Sequence, residues 1–331
     1  MKSLKYLYKI GRGPSSSHTM GPDKAARYFK ETYPDADGYK VILYGSLSGT
    51  GKGHKTDEAI LDVFEDGIEV VFGSVETDNL PHENTMEFFA YKKGEEIAKQ
   101  RIMSVGGGQI VIEGKPELSE EDVYPLRTFG QIADYCMRHN MRLYEYVEKY
   151  EGKEIWNYLH DIWKAMKSSI NQGLSTRGVL DGGLGVERKA QFLYNQSHID
   201  ESDITRENRL VCAYAFAASE HNAGGGVIVT APTCGACAVL PSVLKYMQDK
   251  KGFSDEDICR ALAVGGLVGN LVKTNASISG AECGCQAEIG TACSMAAAAL
   301  AELYDQNLDQ VEYAAEVAME HHLGLTCDPI C

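Results

Sequence analysis

The chain has 331 residues, 44% apolar and 24% charged, the make-up of a soluble globular protein with one large or two ordinary domains. A formal net charge of −15 repels phosphate and anionic lipid, so neither nucleic acid nor membrane is an expected partner. Ten cysteines, no secretion signal in MKSLKYLYKIGRG and no apolar run of about 20 residues point to a cytoplasmic protein with reduced thiols kept for metal or chemistry.

Residues 1–10 read as a short helix or strand ending at Gly11. In GRGPSSSHTMGPDKAARYF, Ser16, Ser17 or Thr19 can cap a helix entered near Pro22, whose apolar face is Ala25, Ala26, Tyr28 and Phe29. Such a start offers hydroxyls and free backbone N–H groups to a carboxylate or phosphate. Tyr39 to Leu47 reads as a strand, followed by the Gly-rich turn SGTGKGH and a helix from about Thr56. The turn lacks the spacing of a phosphate-binding GxxxxGK[ST] loop, so nucleotide binding is rejected. Met86 to Lys92 and Ile97 to Ser104 read as strands, and Gly106, Gly107 and Gly108 as a tight bend or close backbone approach.

The acidic stretch Gly114 to Tyr124 is the expected boundary between a small α+β domain, residues 1–118, and an all-α domain, residues 119–331. Beyond it, Leu126 to Tyr150 and Lys153 to Gln172 read as amphipathic helices, with Trp156, Leu159, Trp163 and Met166 at helical spacing as a core stripe. Glu207 to Ala218 is a further helix, broken by HNAGGGVIVTAPTCGACAVLP. Helical patterning returns from Ala236, over Asp255 to Val272, after the cysteines at Ala296 to Leu303, and over Leu308 to His321.

Four stretches carry chemistry. His18, in SSSHT, suits an acid–base group or a hydrogen bond within its own loop. His54 follows a Gly-rich turn, where Lys52 and Lys55 would favour the neutral imidazole that a general base needs. Cys234 and Cys237 form a CxxC with three readings: a redox pair, half a zinc site, or small buried thiols. Cys283, Cys285 and Cys293 stand within eleven positions on small-residue backbone, with Cys327 and Cys331 far along the chain. This spacing matches no ferredoxin run, so it supports a metal or cluster site and a merely Cys-rich core alike.

In order and context, GPSSSHTMGP, YGSLSGTGKGHKTD, SVGGG, TAPTCGACAVLP, SGAECGCQAEIGTACSMAA and LGLTCDP resemble the motifs of the iron–sulfur-dependent bacterial L-serine dehydratases (L-serine ammonia-lyases), over nearly the whole chain. The resemblance implies the family's β and α domains in one polypeptide, with no regulatory ACT domain. It also implies a [4Fe–4S] cluster with three cysteine ligands and one open iron. By motif two ligands are Cys285 and Cys327; the family's third lies in a VQxPC motif beyond CDP. The chain as given ends at Cys331 without that motif. Either it stops short, the preferred reading, or Cys331 or another thiol takes the place. Cys234 stands where the family commonly has Asn, and Cys283 where a small apolar residue is usual.

The implied reaction is β-elimination of water from L-serine to aminoacrylate and then to pyruvate and ammonia, with the open iron as Lewis acid. By analogy His54 is the base and His18 its partner or proton donor. Ser15, Ser16 and Ser17 would hold the substrate carboxylate, and Thr233 and Asn222 the ammonium. The implied assembly is a homodimer. Competing expectations are an iron–sulfur or thiol sensor that kept the fold, and a lyase for another β-substituted amino acid.

Overall fold

The structure, a computed structural model, describes residues 1–115, 122–197, 200–278, 283 and 285–322; its first strand, β1 (Ile10–Arg12), stands where the chain passes from one unit to another. One unit starts at Arg12 and holds α1 (Gly21–Thr32), β2 (Gly38–Leu43), α2 (Ser46–Thr50), α3 (Thr56–Phe64), β3 (Ile68–Phe72), β4 (Thr85–Lys92), β5 (Glu95–Ser104) and β6 (Ile110–Ile112). Its strands form one sheet in the order β3-β2-β4-β5-β6. β2 and β3 run parallel, Val41 opposite Val70, across the α3 connection, and all other neighbours are antiparallel.

Side chains alternate across a strand, so one face of this sheet collects Val41, Leu43, Met86, Phe88, Ala90 and Ile102. Those residues pack with Ala25, Ala26 and Phe29 of α1 and Ile60, Val63 and Phe64 of α3. On the opposite face Glu87 of β4 accepts from Arg101 of β5 at 2.7 Å, and Arg101 also donates to Glu113 at 3.0 Å. β2 ends at Leu43 instead of running to Leu47. Gly45, at φ +56, turns the chain into α2, and a Cβ there would overlap the Glu83 carbonyl.

The other unit combines Met1–Gly11 with the described residues from 122 on. It holds α4 (Phe129–His139), α5 (Leu143–Glu151), α6 (Glu154–Ser175), α7 (Ala190–Asn195), α8 (Asp203–Ala223), β7 (Val227–Val229), α9 (Val239–Lys251), α10 (Asp255–Asn275), α11 (Cys285–Leu303) and α12 (Leu308–Glu320). An α+β region thus precedes an all-helical one, apart from the small β1–β7 pairing. The helix expected over Leu126 to Tyr150 is two, because Asn140 takes the left-handed conformation (φ 49) that ends α4. Leu159, Trp163 and Met166 are buried in the core of this unit, and Trp156 packs half-buried against it.

α10 is the central helix, with every residue from Ile258 to Leu271 buried except Arg260. It also explains where the first eleven residues go. A Cβ at Gly266 would lie 2.7 Å from the Tyr8 ring, and one at Gly269 would lie 3.0 Å from Leu7. Tyr8 donates its hydroxyl to the Leu262 carbonyl at 2.9 Å. The glycines leave a groove that Leu4, Leu7 and Tyr8 fill, so the N-terminal segment is part of the helical core. Among the described residues, no helix is long and apolar enough to cross a membrane.

Candidate active site

Three of the four serines and threonines of SSSHT take roles other than the cap expected of Ser16, Ser17 or Thr19. A five-residue π-helical turn, Ser16–Met20, precedes α1 and runs straight into it. Ser15 is its cap, accepting from the His18 N–H at 3.2 Å. Such wide turns open the backbone ladder and recur at functional sites. Side chains from distant parts of the unit tie this one down. Ser104 donates to the Ser17 carbonyl at 2.7 Å, Thr56 to the His18 carbonyl at 2.5 Å, and Thr19 to the His54 carbonyl at 2.7 Å. Gly21 makes the first contact possible, since a Cβ there would overlap the Ser104 hydroxyl.

These bonds bring the two histidines together, with ring centroids 4.7 Å apart and planes inclined by 37°. The His18 ring is held at both nitrogens by hydroxyls, Nδ1 to Ser17 Oγ at 2.8 Å and Nε2 to Ser46 Oγ at 2.9 Å. Burial, then the nearby His54 ring, pushes the His18 pKa down to about 4, so His18 is neutral at physiological pH. His54 Nδ1 lies 2.9 Å from the Thr50 carbonyl. A carbonyl can only accept, so Nδ1 carries a hydrogen, and in the neutral ring the lone pair is on Nε2. The flanking lysines are turned to other partners: Lys52 lies 5.3 Å over the Phe72 ring, and Lys55 donates to Glu58 at 3.2 Å.

Thr233 and Asn222 belong to the helical unit. Asn222, in the last turn of α8, donates to the Cys234 carbonyl at 3.2 Å. β7 leads into a turn anchored by Thr230, whose hydroxyl donates to the Leu7 carbonyl at 2.6 Å and accepts from the Lys9 N–H at 2.9 Å. Thr233 is buried on this turn. Cys234 and Cys237 are buried as well, and burial, followed by proximity to Cys234, pushes the Cys237 thiol up. A reactive dithiol needs an accessible, stabilised thiolate, so the buried-thiol reading of this CxxC is the one that stands.

Of the nominated cluster ligands, Cys285 opens α11 and its side chain lies outside the described residues; Cys327 and Cys331 lie wholly outside them. The donor set is all thiol, the chemistry iron–sulfur clusters take, and a helix start favours an anionic ligand, so these residues fit such a group. Cys283 is exposed, and Cys293 is half-buried with its Sγ 3.2 Å from His322 Nε2. Sequence reasoning missed Ser46, Ser104 and Thr56, which hold the histidines from other elements. Only Gly45 in YGS, a turn signal just before Ser46, hinted at one of them.

The sequence model of the serine dehydratase beta chain matches residues 3–68, and that of the serine dehydratase alpha chain matches residues 83–331. The L-serine dehydratase of Haemophilus influenzae is 39% identical over 100% of this chain and 85% of its own length. L-serine dehydratase 1 of Escherichia coli is 38% identical over the same shares. The L-serine dehydratase of Streptomyces coelicolor is 36% identical over 98% of this chain and 83% of its own.

Proposed function

Since the chain belongs to the serine dehydratase family, with beta-chain and alpha-chain sequences in one polypeptide, we propose that it is an L-serine dehydratase converting L-serine to pyruvate and ammonia. The observation that carries the mechanism is the pairing of two imidazoles, one held neutral by burial and the other with its Nε2 lone pair available.

The α-hydrogen of serine is weakly acidic and hydroxide is a poor leaving group, so elimination needs both a base and help for the leaving oxygen. His54 Nε2 takes the Cα proton. Its Nδ1–H, held by the Thr50 carbonyl, keeps the ring in the tautomer that can do so and steadies the imidazolium that forms. His18, bracketed by the Ser17 and Ser46 hydroxyls, relays a proton from one hydroxyl to the other by taking it at one ring nitrogen as it gives up the N–H proton of the other, and so stays neutral. The π-turn stretch Ser15, Ser16 and Ser17 takes the substrate carboxylate through hydroxyls and backbone N–H groups. Cys285 and Cys327, with a third thiol, Cys331 or another, would hold a [4Fe–4S] cluster, which supplies a Lewis-acidic iron for the departing hydroxyl when bound. Aminoacrylate, once released, tautomerises and hydrolyses to pyruvate and ammonia.

The test is anaerobic purification with iron and sulfide analysis, followed by pyruvate formation from L-serine, L-threonine and L-cysteine on the same sample. A cluster on every chain with prompt pyruvate from L-serine is the expected result. A cluster-bearing protein that leaves all three amino acids unchanged overturns the assignment.

A further inference from the structure

A thiol and an imidazole meet where the chain leaves α12 beside α11, both within the helical unit. Cys293 Sγ lies 3.2 Å from His322 Nε2, and His322 Nδ1 lies 2.6 Å from the Ala318 carbonyl. A carbonyl can only accept, so Nδ1 carries a hydrogen, and in the neutral ring Nε2 offers its lone pair to the thiol hydrogen. Two further contacts fix the approach of the helices. Ser294 donates to the Ala315 carbonyl at 2.7 Å, and a Cβ on Gly290 would lie 2.9 Å from Met319 Sδ and 3.6 Å from His322 Cβ. A nucleophile within hydrogen-bond reach of a base, the base itself oriented by a third group, is the arrangement that activates cysteine for attack.

The reaction proposed above uses neither residue. Cys293 stands eight positions after Cys285 in α11, about 12 Å along the helix axis at 1.5 Å per residue. It is half-buried, whereas Cys136, Cys234, Cys237 and Cys259 are buried. Burial pushes the Cys293 thiol up, so it rests as S–H and needs the neighbouring base at the moment of attack. A thiol that gives up its proton reluctantly is also the stronger nucleophile once the proton is gone. α12 carries Asp309, Glu312, Glu316 and Glu320 and no lysine or arginine, a field that repels anionic disulfides and admits a neutral reagent.

We infer that Cys293 and His322 form a second reactive centre, a thiol modified by small neutral hydroperoxides, of which hydrogen peroxide is the simplest. The sulfur attacks one peroxide oxygen as His322 Nε2 takes the thiol proton. The S–O bond forms, the O–O bond breaks, and the imidazolium returns the proton to the departing hydroxide, which leaves as water. Sulfur is oxidised by two electrons to the sulfenic acid, the peroxide is reduced, and the ring ends neutral.

The experiment treats the anaerobically purified protein, its iron content measured, with hydrogen peroxide in the presence of dimedone, which traps sulfenic acids. A parallel sample receives iodoacetamide, a neutral alkylating agent that tests the nucleophile with no oxidant to damage a cluster. Peptide mass spectrometry follows Cys293, with the exposed Cys212 of α8 as internal reference. In wild-type protein Cys293 should react with both reagents at least about tenfold faster than Cys212, although it is the less exposed thiol. His322→Ala should slow Cys293 by about tenfold or more and leave Cys212 within about twofold. Cys293→Ser should keep its iron and lose only the Cys293 adducts.

Cys293 reacting no faster than Cys212 in wild-type protein overturns the inference before any variant is made. So does a Cys293 rate that His322→Ala leaves unchanged. Fast alkylation without a dimedone adduct would overturn hydroperoxide as the substrate class, and loss of iron from Cys293→Ser would make the residue a cluster ligand instead.

Discussion

The His18 and His54 rings stand 4.7 Å apart, yet neither makes a ring hydrogen bond to the other: His18 is held by the Ser17 and Ser46 hydroxyls and His54 by the Thr50 carbonyl. Two imidazoles at this separation resist carrying charge together, and the burial of His18 decides which one stays neutral.

Replacing His54 by alanine should lower kcat by about 10²-fold or more, the effect of losing a general base, with the iron content and L-serine affinity retained. Steady-state kinetics beside calorimetry on one preparation measures both. Turnover at the wild-type rate would remove His54 from the mechanism.

The depressed pKa of His18 makes stability depend on pH in a definite direction. Between its unfolded value near 6.5 and its folded value of about 4, the unfolded chain binds a proton that the folded one refuses. Stability is therefore fully present above pH 6.5 and falls on acidification through this window, by up to roughly 3 kcal/mol from this group alone. Urea unfolding of wild type and His18→Gln at a series of pH values should show a shallower acid slope in the variant. Parallel curves would contradict the assignment.

Ser46→Ala removes the partner of His18 Nε2 and should cost about three- to tenfold in kcat, the worth of one ordinary hydrogen bond, while Ser46→Thr restores most of it. If Ser46 served packing alone, threonine and alanine would differ in melting temperature and leave kcat as it is.

Gly21→Ala should destabilise the small unit by about 1–3 kcal/mol, because its new Cβ displaces the Ser104 hydroxyl from the Ser17 carbonyl. Thermal unfolding reads the loss. The same variant should lose activity below its melting point, since the displaced bond fixes the turn that carries His18.

Cys285→Ala should leave the protein without its full complement of iron and sulfide, and air should inactivate the wild-type enzyme as oxidant reaches an open iron. Metal analysis of the variant and activity after timed exposure to air are the measurements. A Cys285→Ala protein with wild-type iron would require a different ligand set.

Period-two and helical apolar patterning were enough to read an α+β region followed by a helical one, with Leu159, Trp163 and Met166 in the core. Each of those signals is local and survives inspection of a dozen residues. The motifs GPSSSHTMGP and GTGKGHKTD likewise singled out His18 and His54 by residue type alone. Tertiary structure decided the rest. It ended β2 at Leu43, so that Ser46 meets His18 from 28 residues away, and set Ser104 against Ser17 across 87. It laid the first eleven residues on the glycines of α10 and brought Glu288 against the missing side chain of Gly235. These pairings depend on how close two backbones come, and that is set by the packing of whole elements, which no window of sequence contains.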